Sequence, residues 1–404
     1  MQVQRNALLF LFLSLPLAAQ EIEDPGPHAV GYLDAGFPGS TGALSGRVYY
    51  PAMSAGVGTA PDQAGGPYPL VAFLHGWLGS PPYYDDLSTH IASWGFVVAS
   101  IGTETGAGGT MQPEAQDTAD MLAWLDGESN DPLSFYAGLV SDDDWSAVGH
   151  SMGGGALFYL IEDEPKVRTV AALQPWKGGA LGGAAGGSAN LTSWTGDVLI
   201  VGGSVDTTCP VPTMTFPYYQ LCQNTGRAFH VEVIGMGHSG PTDLPSAGEP
   251  LASAEQKRLH RRFVTGFLRA EVKGAENLYV DLLGEGAAVE PVNLDARATV
   301  AVHWSAPSEQ VAGGSVLGVA GVPGDVAAAA ASLGTASIPT ALGVIGLNLA
   351  QGAVVYQVTL TADGFFEAAV PTPPGFAGTT LYTQAVTLGL GHGGFTTVGT
   401  LVLP

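Results

Sequence analysis

The chain has 404 residues and is 46% hydrophobic but only 12% charged, half the charge density of an ordinary globular protein, which is about 25%. Its 13 basic and 36 acidic residues give a net charge of −23, a balance that repels phosphate backbones and anionic headgroups and argues against nucleic-acid binding. The high hydrophobicity excludes a disordered chain, and the length predicts two domains.

Residues 1–20 read as an export signal. Arg5 supplies the positive end, Ala7 to Ala18 form an apolar run, and Ala18 and Ala19 offer a cleavage site before the acidic Glu21, Glu23 and Asp24. A secreted protein, extracellular or periplasmic, is expected, with no membrane span. From about Gly46 to Leu268 short apolar runs alternate with helical spacing. Leu70–Leu74 is a strand, Tyr83–Trp94 a helix, Phe96–Ile101 a strand, and Pro113–Leu125 a helix with Met121, Leu122 and Leu125 on one side. Ser146–Gly149 and Met152–Ile161 form the next strand and helix. Thr169–Leu173, Val198–Val201 and His230–Ile234 are further strands, and Leu259, Phe263, Val264, Phe267 and Leu268 stripe a closing helix. Strands alternating with helices require an α/β fold, a doubly wound, mainly parallel sheet covered on both faces. Past Pro291 only Asp295, Arg297, Glu309, Asp325, Asp363 and Glu367 are charged, and alternating segments such as Val354–Thr361 and Thr379–Leu388 predict a C-terminal antiparallel β module. The expected division is 1–20 signal, 21–288 catalytic domain and 289–404 accessory module.

The chemistry concentrates at Gly149-His150-Ser151-Met152-Gly153. A strand leads into this G-x-S-x-G and a helix leaves it, the context that exposes a serine hydroxyl on a tight turn at a helix N-terminus. A serine nucleophile needs a base and an orienting carboxylate. Asp206 follows the strand Val198–Val201, and His238 follows the strand ending at Ile234 between glycines, so acid and base come in the expected chain order after Ser151. His75-Gly76-Trp77 follows an inner strand, and the backbone N–H groups of Trp77 and Met152 are the expected oxyanion donors. His150 is expected to pack, and His260, among Arg258, Arg261 and Arg262, to face solvent. Trp176 ends the strand after the elbow helix and is either core or a substrate wall. Asp142-Asp143-Asp144 reads as an acidic turn. No His/Cys set has zinc spacing, so neither a metal nor another cofactor is expected. In an oxidising compartment Cys209 and Cys222 are expected to form a disulfide, two buried thiols being the alternative.

These stretches, with Val48-Tyr49-Tyr50-Pro51, Trp94-Gly95-Phe96, Pro175-Trp176 and Val205-Asp206-Thr207, resemble the bacterial polyester hydrolases of the α/β-hydrolase superfamily, both cutinase-like and PET-hydrolase-like. They are also similar to dienelactone hydrolases and platelet-activating-factor acetylhydrolases. The resemblance covers residues 28–270. It implies Ser151 as nucleophile, Asp206 as acid, His238 as base, Trp77 and Met152 amides as oxyanion hole, and Trp77 and Trp176 along bound substrate. Trp77 stands where these hydrolases usually carry Tyr, and a Gly/Ala-rich insertion (178–188) follows Trp176. The expected activity is hydrolysis of hydrophobic esters or polyesters. The alternatives are a small-substrate esterase or acetylhydrolase, and an inactive hydrolase-fold binding or adhesion protein.

Overall fold

In the computed structural model, residues 21–178, 187–244, 248–390 and 392–404 are described. The predicted export signal and most of the Gly/Ala-rich insertion lie outside them. Ten strands form one sheet: β1 (Ala29–Gly39), β2 (Gly42–Ala52), β3 (Gly56–Val57), β4 (Leu70–Leu74), β5 (Val97–Ile101), β6 (Trp145–His150), β7 (Val167–Leu173), β8 (Asp197–Gly203), β9 (Arg227–Val233) and β10 (Val292–Ala298). Their order is β10-β9-β8-β7-β6-β4-β5-β2-β1-β3. Strands β4 to β9 are parallel neighbours, while β2 joins β5, and β10 joins β9, in antiparallel fashion. The order reverses at β4, with β5 on one side and β6 on the other. Such a reversal opens a crevice at the C-terminal ends of the strands, the usual place for a site in a sheet of this kind.

The central strands are continuous apolar runs because helices cover both faces. On one face lie α2 (Met111–Asn130), α3 (Met152–Asp163) and α4 (Thr215–Leu221), burying Met121, Leu122, Leu125, Leu157, Phe158 and Tyr218. On the other lie α1 (Asp85–Ser93) and a closing helix made of α5 (Ser253–His260), a π turn (Arg261–Thr265) and α6 (Gly266–Lys273). Leu87, Ile91, Leu259, Phe263 and Phe267 pack there against Phe73, Val98 and Phe229. Among the described residues no helix is long and apolar enough to cross a membrane.

The C-terminal segment is antiparallel throughout. It holds β11 (Val302–Pro307), β12 (Gly314–Ala320), β13 (Val326–Ser332), β14 (Thr335–Thr340), β15 (Gly343–Leu347), β16 (Gly352–Thr359), β17 (Phe365–Pro371), β18 (Thr380–Leu388), β19 (Gly393–Phe395) and β20 (Gly399–Val402). These pair as β11-β12-β17, as β16-β13-β18 with β19 and β20 both on β18, and as the β14-β15 ribbon. Leu317, Val319, Ala329, Leu360, Ala385 and Leu401 form its own core. The predicted boundary at 288/289 falls just before β10, a strand hydrogen-bonded along its whole length to β9. Trp304 of β11 is buried in the core between the ten-stranded sheet and its closing helix, its ring 6.4 Å from that of Tyr279.

Candidate active site

Strand β6 runs directly into Ser151, and α3 begins at Met152. Ser151 takes φ +54° and ψ −114°, a conformation costing a non-glycine residue about 1–3 kcal/mol. Backbone bonds hold it there: its N–H donates to Leu173 O (2.9 Å), and its carbonyl accepts from Gly155 N (3.0 Å) and Trp176 N (2.8 Å). The two motif glycines are needed because a Cβ on Gly149 would stand 2.4 Å from Gly153 O, and one on Gly153 would stand 2.4 Å from Leu74 O. The helix start thus faces the serine hydroxyl, where the N-terminal dipole favours negative charge.

The loops after β8 and β9 bring Asp206 and His238 to the same sheet edge. His238 Nε2 lies 2.9 Å from Ser151 Oγ, and His238 Nδ1 lies 2.8 Å from Asp206 Oδ2. An ionised carboxylate only accepts, so Nδ1 carries the proton and the lone pair of Nε2 faces the hydroxyl. Asp206 is buried, and its Oδ1 accepts from the backbone N–H of Thr208 and of Cys209, each at 2.8 Å. Among the described residues no acceptor of the protein takes the N–H of Trp77 or Met152, the donors an oxyanion would require. The Trp77 and Trp176 side chains are half-buried. Trp77 Nε1 donates to Ala107 O (3.2 Å), and Trp176 O accepts from Tyr218 Oη (2.9 Å).

Three other residues hold this arrangement from below, and only one of them stood out in the sequence. His150 is buried, as expected. Its Nε2 donates to the carbonyl of His238 (2.9 Å), and its Nδ1 accepts from Tyr84 Oη (2.8 Å). Tyr84 Oη in turn accepts from Gly76 N, the residue before Trp77 (2.9 Å). Burial first, then the nearby His238, keeps the His150 ring well below the usual imidazole range, so it stays neutral and can make both bonds. Gln174, at φ +41°, donates from Nε2 to Gly237 O (2.9 Å). Nothing in the local sequence marks Tyr84 or Gln174, because their partners lie 8 to 66 and 63 residues away.

Two expectations are corrected. Cys209 and Cys222 are both free and buried. Cys222 ends α4 and turns its Sγ back onto Tyr218 O (3.3 Å), whereas the Cys209 thiol lies against Ser151 and Asp206. His260 does not face solvent: it is 2% exposed and donates from Nδ1 to Gln256 O (2.8 Å). Arg258 pairs with Glu255 one turn back on its own helix, and the arginine neighbours are also paired across the fold, Arg258 with Glu23 and Glu290, Arg261 with Asp86, and Arg262 with Glu23 and Asp281. The cluster therefore seals an interface between elements. Asp142, Asp143 and Asp144 are exposed, and His392 pairs with Asp325 at 2.8 Å.

Residues 19–263 match the model of a family described as PET hydrolase-like. The chain is 29% identical over 216 residues to Cutinase 2 of Thermobifida cellulosilytica, covering 54% of this chain and 73% of that protein. It is equally identical to Cutinase cut1 of Thermobifida fusca, covering 60% of it. It is 27% identical over 221 residues to a bis(hydroxyethyl) terephthalate hydrolase of Streptomyces coelicolor, covering 62% of that protein. The matched family region ends before β10 and the C-terminal module.

Proposed function

Since this chain belongs to the PET hydrolase-like family of α/β-hydrolases and is an ester-hydrolysing enzyme, we propose that it is an exported serine hydrolase of polyesters working through Ser151, His238 and Asp206. Ser151 Oγ attacks the ester carbonyl while His238 Nε2 takes its proton. Asp206 holds the ring in the productive tautomer and stabilises the imidazolium that forms. The amides of Trp77 and Met152 receive the oxyanion. His238 then protonates the departing alcohol and activates the water that releases the acyl group. The catalytic unit is residues 21–288, with 289–404 as accessory module and 1–20 as export signal.

The observation that carries the reading is the unbroken line from Ser151 Oγ through His238 to Asp206, at 2.9 and 2.8 Å. Ser151→Ala should lower kcat on a soluble chromogenic ester by about a millionfold. Equal turnover by both proteins would remove the nucleophile. Soluble product released from an amorphous polyester film, measured beside the chromogenic ester, tests the substrate class. Activity confined to the small ester would leave the mechanism and reject the polymer.

A further inference from the structure

Ester hydrolysis uses no thiol, yet a cysteine stands inside the triad. Cys209 comes three residues after Asp206, and the turn between them folds so that the Cys209 N–H reaches Asp206 Oδ1 (2.8 Å). This brings the thiol beside the carboxylate. One ligand atom each from Asp206, Cys209 and His238 then lies within 4.8 Å of the other two. Sequence spacing offers no hint of this, since His238 is twenty-nine positions beyond Cys209.

We infer that Asp206, Cys209 and His238 form an inhibitory site for a thiophilic divalent cation of the zinc and cadmium class. The donor set selects that class. Sulfur and imidazole nitrogen suit borderline and soft metals, whereas calcium and magnesium require oxygen ligands throughout. Bonds of about 2.0–2.3 Å in a tetrahedral zinc site place neighbouring ligand atoms roughly 3.3–3.7 Å apart, so the three side chains need to move by only about 1 Å. Asp206 is already oriented by the two backbone N–H groups on its Oδ1, the kind of support that fixes a metal ligand. The fourth position falls to water.

The proton balance explains the inhibition. The metal takes Nδ1 of His238, whose proton moves to Nε2. The Cys209 thiol gives its proton to solvent as the metal–sulfur bond forms, and Asp206 exchanges a hydrogen bond for a metal bond. A ring protonated on Nε2 donates toward Ser151 and can no longer accept the hydroxyl proton. Inhibition rests on the acyl-transfer reading above, but metal binding does not.

The test uses the full chain freed of metal with a chelator, then titrated with cadmium. The cadmium–thiolate charge-transfer band in the ultraviolet is followed beside turnover of a soluble ester. Wild type, Cys222→Ser and Ser151→Ala should each develop the band and saturate at equimolar metal, while Cys209→Ser and Cys209→Ala should not. Inhibition of wild type should reverse with chelator. In the two Cys209 variants it should weaken by about tenfold or more, each normalised to its own metal-free rate. Thermal melts verify that the variants fold. A band that survives loss of Cys209, a wild type without a band, or equal inhibition of wild type and the Cys209 variants would overturn the site. Undiminished turnover by Ser151→Ala would instead sink the nucleophile and leave the band in place.

Discussion

Gln174 and His150 grip two successive carbonyls of the loop that presents the base, those of Gly237 and His238. Both donors are buried, and Gln174 holds its bond from a left-handed backbone conformation. Removing one grip lets the His238 ring drift, and a misplacement of about 1 Å costs on the order of a hundredfold in rate. Gln174→Ala is therefore expected to lower kcat by about 10- to 100-fold while leaving KM nearly unchanged. A loss confined to KM would show that Gln174 serves substrate binding instead. Two histidines away from the site set an acid limit. Burial is the main cause that lowers His90 and His260 to about 4, from an ordinary 6.5. The unfolded chain takes these protons near 6.5 and the folded chain only near 4, so their stabilisation is complete above 6.5 and is lost as pH falls toward 4. Each ring accounts for on the order of 3 kcal/mol at the acid end. Glu271, pushed up by burial, acts in the opposite direction. The check is therefore the slope of melting temperature against pH, which His90→Gln should flatten relative to wild type.

At the level of elements, whatever announces itself locally was readable. Strands β4 to β9 are buried on both faces and stand out as apolar runs, and α3 is marked by its period and the glycine-rich turn before it. The three residues proposed as the triad are legible for the same reason, because each comes after a recognisable strand. The hairpin of β1 and β2 was not identified, since its two strands mix buried and exposed positions without clean alternation. Strand β10 falls with the C-terminal module in the sequence because it lies just past the change in composition near Pro291, while its pairing with β9 is set 65 residues away, as between His230 and Asp295. The cysteines mislead for a related reason: the expected compartment and the spacing favour a bond, whereas Cys222 at the end of α4 turns to Tyr218 and Cys209 stays beside Asp206. The elbow itself tolerates no added volume. Gly149→Ala places a methyl 2.4 Å from backbone at Gly153 and is expected to cost about 1–3 kcal/mol or more, together with most of the activity. A denaturant midpoint equal to wild type would contradict the close packing.

Across the whole molecule the two parts share structure instead of only sequence. Strand β10 satisfies the edge of β9, and Trp304 fills the core beside Tyr279. A chain ending at residue 288 leaves that edge bare and that ring uncovered, so it should melt well below the full chain and aggregate, with one ending at residue 300 in between. Equal melting of all three would mean that the catalytic sheet does not depend on its tenth strand. Only three residues, Thr299 to Ala301, separate β10 from β11. Enzymes that carry a second domain on a long tether can swivel, so the catalytic mouth samples many angles over whatever the other domain grips. This joint has no such slack. With so little chain between them, the C-terminal sheets are held at one orientation to the ten-stranded sheet that carries Ser151, and only a graft of extra residues between β10 and β11 would set that orientation free.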